Sequence, residues 1–257
     1  EHMKIKKIIY RVVFVFAFSL VLSGCSSKPV SIDEIKQRGY IIMTTNSEFE
    51  PFEYRDGNEI VGIDIDISKA IADDLGIDLV VNDVSFDALI FELKANKCDF
   101  VAAGMSYDID KARNVSFSVP YFNASQAIIV RLDSDINSAS DIYSKSIGVQ
   151  LGTTSDTYCT ENLKSSNVIR YNKSVDAVSD LINGKIDAVV VDDFPANKLV
   201  ERNKDTVKKL DEPLTTEEYM LCVNKQNEQL LDSINSTITK LQRNGKLDEI
   251  IGKYLTE

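Results

Sequence analysis

Hydrophobic and polar positions follow two different periods along the chain, and these predict strands and helices in turn. Short apolar runs at 40–45, 79–81 and 98–103 predict strands. Between them, apolar residues over 63–75 and 86–95 pass to the three- and four-residue spacing of amphipathic helices. The alternation of strands and helices predicts an α/β fold.

The second half of the chain repeats this order. Apolar runs at 146–150 and 186–191 predict strands, and 175–182 predicts a helix between them. At an offset of 88 residues, five positions of the first half fall on five similar ones of the second: Ile90, Leu93, Lys97, Asp99 and Val101 on Val178, Leu181, Lys185, Asp187 and Val189. The repeat predicts two similar lobes, with chance convergence on a common helix–turn–strand unit as the alternative.

The repeat also predicts how the chain is divided. The polar stretch 134–144 is expected to link the lobes, and the helical pattern after Leu230 is expected to return to lobe one. Two crossings between lobes would make a hinge. The predicted division assigns 31–130 plus 220–257 to lobe one and 131–219 to lobe two. Because ligands bind beyond the carboxyl ends of strands in open α/β sheets, a cleft between the lobes is the expected site.

Charge and histidine content narrow the possible functions. The net charge of −11 disfavours nucleic acid as a partner, because phosphate binding requires clustered Lys and Arg. The single histidine, His2, precedes Met3 in what we interpret as a cloning remnant, so we expect no histidine chemistry in the fold. Cys98, Cys159 and Cys222 are odd in number and widely spaced, which favours neither disulfides nor zinc. We therefore expect no metal or cofactor.

The N-terminal stretch has the pattern of a targeting signal. A basic start is followed by an apolar run at 12–22, which is shorter than the roughly 20 residues that span a bilayer. The run ends in Leu22-Ser23-Gly24-Cys25, which resembles the bacterial lipobox. The resemblance implies that 1–24 is removed, that Cys25 is lipidated and that 25–30 is a tether. An ordinary signal peptide with a chance cysteine is the alternative.

The stretch 102–122 concentrates candidate binding groups at the end of a predicted strand. It carries the hydroxyl of Ser106, the cations Lys111 and Arg113, and an aromatic-rich close. Small residues, a hydroxyl and cations just past a strand suit the capture of a small anionic group. This composition favours binding and does not by itself indicate catalysis.

Six stretches follow one another in order along nearly the whole chain after the leader: Asn46–Phe52 (NSEFEPF), Gly62–Asp66 (GIDID), Gly104–Tyr121, Gly148–Thr154 (GVQLGTT), Asn183–Asp192 (NGKIDAVVVD) and the tail from Gly245. In their order and spacing these stretches resemble the polar amino-acid solute-binding proteins of bacterial ABC transporters. The resemblance implies a two-lobed periplasmic-binding-protein-like fold (type II) with a ligand cleft between lobes joined by a two-strand hinge.

The resemblance also implies residue roles. A polar contact and two aromatic walls come from lobe one, together with a backbone group and a hydroxyl that hold the ligand ends. A helix N-terminus in lobe two receives the α-carboxylate, and Asp192 takes the α-ammonium. The candidate ligand contacts are Asn46, Phe49, Phe86, Gly104, Met105, Ser106, Lys111, Gln150, Thr153, Thr154 and Asp192.

One position departs from the family. An arginine for the α-carboxylate is expected where this chain has Lys111, and Arg113 follows two residues later. An arginine binds a carboxylate with a planar two-pronged group, whereas a lysine offers a point charge. Lys111 is the favoured candidate; capture by Arg113, or mainly by the helix N-terminus, is the alternative.

The implied function is the extracytoplasmic solute-binding component of an ABC importer. It would capture a free amino acid by lobe closure and deliver it to the permease and ATPase subunits, as a monomer anchored by lipid at a Gram-positive surface or in a periplasm. One alternative is an amino-acid-sensing or adhesive surface lipoprotein. Another is an enzyme similar to the cyclohexadienyl dehydratases, in which Glu48 or Asp192 would supply the acid. We expect no enzymatic activity.

Overall fold

The computed structural model describes residues 28–164 and 166–255. The predicted leader and Cys25 therefore lie outside the described residues. Within the described part, no helix combines the length and the apolar character needed to cross a membrane.

Helices and strands alternate as the hydrophobic pattern predicts. The α-helices are α1 (Ile32–Arg38), α2 (Ile63–Leu75), α3 (Leu89–Lys94), α4 (Thr154–Asn162), α5 (Ser174–Ile182), α6 (Asp193–Arg202), α7 (Glu228–Arg243) and α8 (Lys246–Leu255). The strands of the first half are β1 (Tyr40–Thr45), β2 (Glu48–Phe49), β3 (Glu53–Asp56), β4 (Glu59–Val61), β5 (Asp78–Asp83), β6 (Phe100–Val101), β7 (Val115–Phe117) and β8 (Phe122–Ala124). Those that follow are β9 (Gln126–Arg131), β10 (Ser146–Gln150), β11 (Asn167–Tyr171), β12 (Ala188–Asp192), β13 (Val207–Lys209), β14 (Glu217–Tyr219) and β15 (Cys222–Asn224).

The two lobes are built on sheets of the same design. The first sheet has the order β5-β1-β6-β15-β7, and the second has the order β11-β10-β12-β9-β13. In each sheet the second strand pairs in parallel with its neighbours on both sides. The last two strands join in antiparallel fashion. The structure thus has the two-lobed α/β fold that the repeat and the resemblance predict.

Asp99 and Asp187, which the repeat aligns, occupy equivalent places in the two sheets. Ile42 N–H donates to Asp99 Oδ2 over 2.7 Å, and Asp99 N–H donates to the Ile42 carbonyl over 2.8 Å. Ser146 and Asp187 exchange the same pair of bonds, at 2.8 Å and 2.9 Å. Each carboxylate accepts a backbone N–H beside a pair of parallel strands. This is a structural role of the kind that acidic residues have in turns.

Each lobe has its own apolar core. In lobe one, the amphipathic helices α7 and α8 pack against α2. Their buried residues Ile234, Ile238 and Leu241 share a cluster with Ile35 and Phe52 of the first lobe. The cores of lobe two flank its sheet on both faces. The C-terminal helices therefore complete the first lobe rather than the second.

A separate two-stranded sheet joins the lobes. β8 and β14 pair antiparallel, with Phe122 opposite Tyr219 and Ala124 opposite Glu217. Since both crossings between the lobes run through this ribbon, it is the hinge.

Two expectations about the division of the chain are wrong. The boundary at 130 is too late, because β9 pairs with β12 and β13 and belongs to the second sheet. The polar stretch 134–144 does not link the lobes either: Ile136 and Ile142 are buried in the core of lobe two. The first crossing lies at 122–125, immediately before β9.

Candidate functional site

A cavity between the lobes is lined by all of the predicted contact residues. Its empty volume is about 380 Å³ when the part open to solvent is counted. Its lining residues are Asn46, Phe49, Phe86, Gly104, Met105, Ser106, Lys111, Gln150, Thr153, Thr154 and Asp192. The structure brings these residues together, while their contact with a ligand stays a prediction.

The ends of parallel strands place most of these residues at the cleft. Asn46 follows β1, Gly104 lies just beyond β6, Gln150 ends β10 and Asp192 ends β12. The carboxyl ends of strands form the edge where open α/β sheets bind ligands. Both sheets present that edge to the same cavity, so the cleft follows from the topology.

Gly104 allows the first-lobe loop to approach an aromatic wall. Its φ is +50°, and a Cβ there would lie 2.4 Å from Cε1 of Phe49. A larger residue would therefore push Phe49 out of its position. The loop and the ring therefore each limit the space of the other.

Asp64 of helix α2 holds this loop from the side away from the cavity. Asp64 is fully buried; it accepts from Gly104 N–H over 2.8 Å and from Tyr121 Oη over 2.7 Å. Burial raises its pKa to about 6. Asp66 is partly buried and pairs with Lys253 over 2.8 Å. Asp64 and Asp66 differ in burial because 63–75 is entirely helical, so alternate residues do not share a face.

The second lobe offers a helix N-terminus to the cavity. Thr153 is the N-cap of α4, and its hydroxyl accepts from Asp156 N–H over 3.3 Å. Such a terminus has N–H groups without helical partners and the positive end of the helix dipole. The arrangement suits a carboxylate of a bound molecule.

Asp192 is an acceptor buried within the cavity wall, with only 6% of its surface exposed. Its carboxylate accepts from Gln126 Nε2 and from the hydroxyl of Tyr219. Burial raises the pKa of Asp192 to about 7, and the nearby charge of Glu217 adds to that rise. A cationic partner would stabilise the ionised form of this carboxylate, because the partner's charge offsets both the cost of burial and the repulsion from Glu217.

The two cations after Gly104 differ in placement. Lys111 lines the cavity, with 18% of its side chain exposed, and its Nζ lies 3.8 Å from Asp108 Oδ2. Arg113 is 75% exposed and pairs with the equally exposed Asp110 over 3.2 Å. The structure therefore places Lys111, not Arg113, where a ligand carboxylate could be met.

Contacts across the cleft hold the lobes together. Gln150 Nε2 donates to Asn46 Oδ1 over 3.1 Å. At the rim, Lys173 pairs with Glu48, and Glu50 pairs with Arg202. These contacts join residues of different lobes, so the described conformation is closed.

Three polar residues beside the cavity were missed by sequence reasoning: Gln126, Glu217 and Tyr219. Gln126 Nε2 contacts Thr154 Oγ1 over 3.2 Å as well as Asp192. Glu217 accepts from the hydroxyls of Ser106 and Thr154. Glu217 and Tyr219 lie on hinge strand β14, and Gln126 lies on β9. The local sequence patterns of these segments predict only a strand. Nothing in that pattern could have placed them at the site.

Within the described part of the chain, no group of three or more His, Cys, Asp or Glu side chains is arranged to hold a metal ion. Cys98, Cys159 and Cys222 are free and buried, and burial raises the pKa of each thiol. Their thiols are therefore poor nucleophiles.

Comparison with known proteins gives relatives that match nearly the full length. The arginine-binding extracellular protein ArtP of Bacillus subtilis is 28% identical, and the match covers 93% of this chain and 94% of that protein. The L-cystine-binding protein TcyJ of Escherichia coli is 26% identical, covering 93% of this chain and 92% of that protein.

Solved structures agree in fold over a similar span. A mutant of ArgBP from T. maritima has a TM-score of 0.84 at 39% identity, covering 88% of this chain and 99% of that one. The protein AbpA of Streptococcus pneumoniae, bound to L-arginine, has a TM-score of 0.82 at 30% identity, covering 86% and 97%. An ancestral amino-acid-binding protein described as a precursor of cyclohexadienyl dehydratase has a TM-score of 0.80 at 30% identity, covering 87% and 98%.

The family assignment rests on a match that includes both lobes and the hinge. Residues 41–257 match the sequence pattern of the bacterial extracellular solute-binding proteins, family 3. This range begins within β1 and contains every residue that lines the interlobe cavity. The chain therefore belongs to the bacterial extracellular solute-binding proteins, family 3.

Proposed function

We propose that this protein captures a free amino acid between its lobes and delivers it to the permease of an ABC importer. The observation that carries the proposal is the interlobe cavity, which has a cation, a carboxylate and a helix N-terminus in one lining. An α-amino acid carries a carboxylate and an ammonium on one carbon, so it matches these groups in charge. The relatives' names, which include an arginine-binding extracellular protein and an L-cystine-binding protein, support this class of ligand.

Each end of the amino acid has a proposed partner. Lys111 and the N-terminus of α4 receive the α-carboxylate, and Asp192 receives the α-ammonium. Hydrogen bonds to charged groups contribute about 1.5–3 kcal/mol each. Micromolar affinity requires only about −8 kcal/mol, so a few such bonds with aromatic contacts can suffice.

For the side chain we propose L-arginine. Phe49 and Phe86 both line the cavity, and an aromatic face attracts a guanidinium. Asn46 and Gln150 add amide groups to the same lining. ArtP and AbpA, which match nearly the whole chain, are named or shown as arginine binders. The net charge of −11 also favours a cationic ligand at long range.

We further propose that the ligand leaves unchanged. Asp192, with its raised pKa, is a feature that a dehydratase could use as an acid. However, its carboxylate is engaged by Gln126 and Tyr219, and Glu48 is engaged by Lys173. Both acids therefore have partners that suit binding and closure.

The remaining proposals concern location and assembly. We propose an extracytoplasmic position, as the names of the relatives support, with lipid on Cys25 as the anchor. The acting unit is proposed to be a monomer, because one chain supplies both walls of the cavity.

Calorimetry with a panel of free amino acids tests the function. We expect L-arginine to bind with micromolar or tighter affinity, and chromatography of the recovered ligand to show it intact. Binding of a different amino acid would overturn the arginine proposal and keep the class. A panel without binding would overturn the class, and a new product would favour an enzyme.

A further inference from the structure

Glu217 joins both lobes from the hinge. It lies on β14, and its Oε2 atom accepts from the hydroxyl of Ser106 in lobe one and, over 2.8 Å, from the hydroxyl of Thr154 in lobe two. Its Oε1 atom accepts from Thr215 over 3.1 Å. Ser106 and Thr154 both line the cavity. One carboxylate therefore holds two cavity hydroxyls that belong to different lobes.

The hydrogen bonds continue from Thr154 to Asp192. Gln126 Nε2 contacts Thr154 Oγ1 over 3.2 Å and donates to Asp192. Tyr219, two residues after Glu217, donates to the other oxygen of Asp192. Glu217 and Asp192 thus lie at the two ends of one network, and the charge of Glu217 contributes to the raised pKa of Asp192.

The direction of these bonds decides what the hydroxyls can offer a ligand. A hydroxyl has a single proton to donate, and a carboxylate can only accept. Once Ser106 and Thr154 have donated to Glu217, their oxygens have only lone pairs left. They can then accept from a ligand N–H, and they cannot donate to a ligand carboxylate.

We propose that Glu217 is a specificity-determining positioning residue, which turns the Ser106 and Thr154 hydroxyls into acceptors and so makes the cleft select ligands with a protonated α-amine. The inference rests on the proposed function and deepens it. A primary ammonium brings three N–H donors, enough for Asp192 and the oriented hydroxyls together. An analogue without the amine leaves these acceptors unpaired, which costs binding free energy.

The test compares L-arginine with 5-guanidinopentanoic acid, which lacks only the α-amine. Their affinities are measured by calorimetry at pH 8 for the wild type, Glu217→Gln and Glu218→Gln. Glu218 is the matched control, because it is the exposed neighbour on the same strand and loses the same charge. We expect Glu217→Gln to lower the affinity for L-arginine by about tenfold or more, which corresponds to one charge-assisted hydrogen bond. The affinity for the analogue should change by less than about threefold.

The outcomes separate this inference from the function on which it rests. If the wild type does not bind L-arginine, the arginine proposal fails, and the pair is replaced by the amino acid that the panel identifies and its des-amino analogue. If Glu217→Gln lowers the affinity for both compounds equally, or for neither, Glu217 does not set selectivity and the inference is overturned. Glu218→Gln is expected to leave both affinities as in the wild type; an equal loss of selectivity there would also overturn it.

A double-mutant cycle guards against a variant that fails to fold. Ser106→Ala alone is expected to reduce selectivity for the amine, because it removes an oriented acceptor. In Ser106→Ala/Glu217→Gln the losses are expected to be smaller than the product of the single losses, since Glu217 acts through Ser106. Full additivity, or a Ser106→Ala protein that discriminates as well as the wild type, would contradict the proposal.

Discussion

The resemblance leads us to expect an arginine where this chain has Lys111, and the position of Lys111 in the cavity lining makes this difference testable. Lys111→Ala is expected to weaken amino-acid binding by about tenfold or more, because it removes a charged partner of the carboxylate. Arg113→Ala is the matched control, since its side chain is exposed and pairs with Asp110 at the surface. Calorimetry on both variants checks the ranking, and the reverse order would contradict the assignment of Lys111.

Asp192 predicts how binding depends on pH. Its pKa is about 7 without a ligand, and an ammonium beside it lowers that pKa because it favours the ionised form. Binding below pH 7 must therefore release a proton. Affinity is expected to be constant above pH 8 and to fall below pH 7 by up to about tenfold per pH unit.

The same titration in Asp192→Asn provides the control. This variant should bind weakly and without the fall between pH 7 and pH 5.5, measured by calorimetry in buffers of different ionisation heat. A wild-type affinity that stays flat over this range would show that Asp192 does not meet the ammonium.

Single residues of the candidate site could be predicted from the sequence where a known family pattern surrounds them. Lys111 and Asp192 could be assigned to the cleft because each lies at a fixed distance along the chain from a family motif. Glu217 could not, because its partners Ser106 and Thr154 lie 111 and 63 residues away in the chain. Its role depends on how the lobes close, which a local pattern does not contain.

Helix α2 and the loop after β6 act as one unit through Asp64. Asp64→Ala is expected to lower the free energy of unfolding by about 2–4 kcal/mol, because a buried N–H or hydroxyl without a partner costs about 1–3 kcal/mol. Here the partners left behind are Gly104 N–H and the Tyr121 hydroxyl. Urea unfolding followed by circular dichroism measures the change.

Asp73→Ala is the control for this change, because Asp73 is exposed on the same helix. Its free energy of unfolding should stay close to that of the wild type. If Asp64→Ala is as stable as Asp73→Ala, the carboxylate does not hold the loop. Ligand affinity should also fall in Asp64→Ala, since Gly104 lines the cavity.

Helices and strands were predictable where the hydrophobic period and the length of the segment agree. Which strands pair with one another was less predictable. The strands β1, β10 and β12 and the helices α2, α5 and α7 follow directly from the apolar spacing, whereas helix α6 was not predicted. Strand β9 was assigned to the wrong lobe because sheet membership is a long-range pairing. The stretch 134–144 looked like a linker because it is mostly polar, yet two isoleucines suffice to anchor it in the core.

Ion pairs across the cleft rim are expected to favour the closed form of the whole molecule. Glu48→Gln/Glu50→Gln removes the partners of Lys173 and Arg202. Because exposed pairs contribute about 0.2–1 kcal/mol each, removal of both should lower ligand affinity by roughly two- to thirtyfold. Small-angle scattering should show a larger radius of gyration for the ligand-free variant.

High salt is the independent control on this effect. In the wild type, added salt should weaken binding through screening of the rim pairs, and in the double variant much of that dependence should disappear. Equal salt dependence in both proteins would show that the rim pairs do not govern closure.

The most direct measurement is a crystal structure of the protein with L-arginine. It should show the amino acid enclosed between the lobes, with the α-ammonium within hydrogen-bond distance of Asp192. The α-carboxylate should contact Lys111 or the N-terminus of α4. An arginine bound outside this cavity, or one whose ammonium points away from Asp192, would contradict the account.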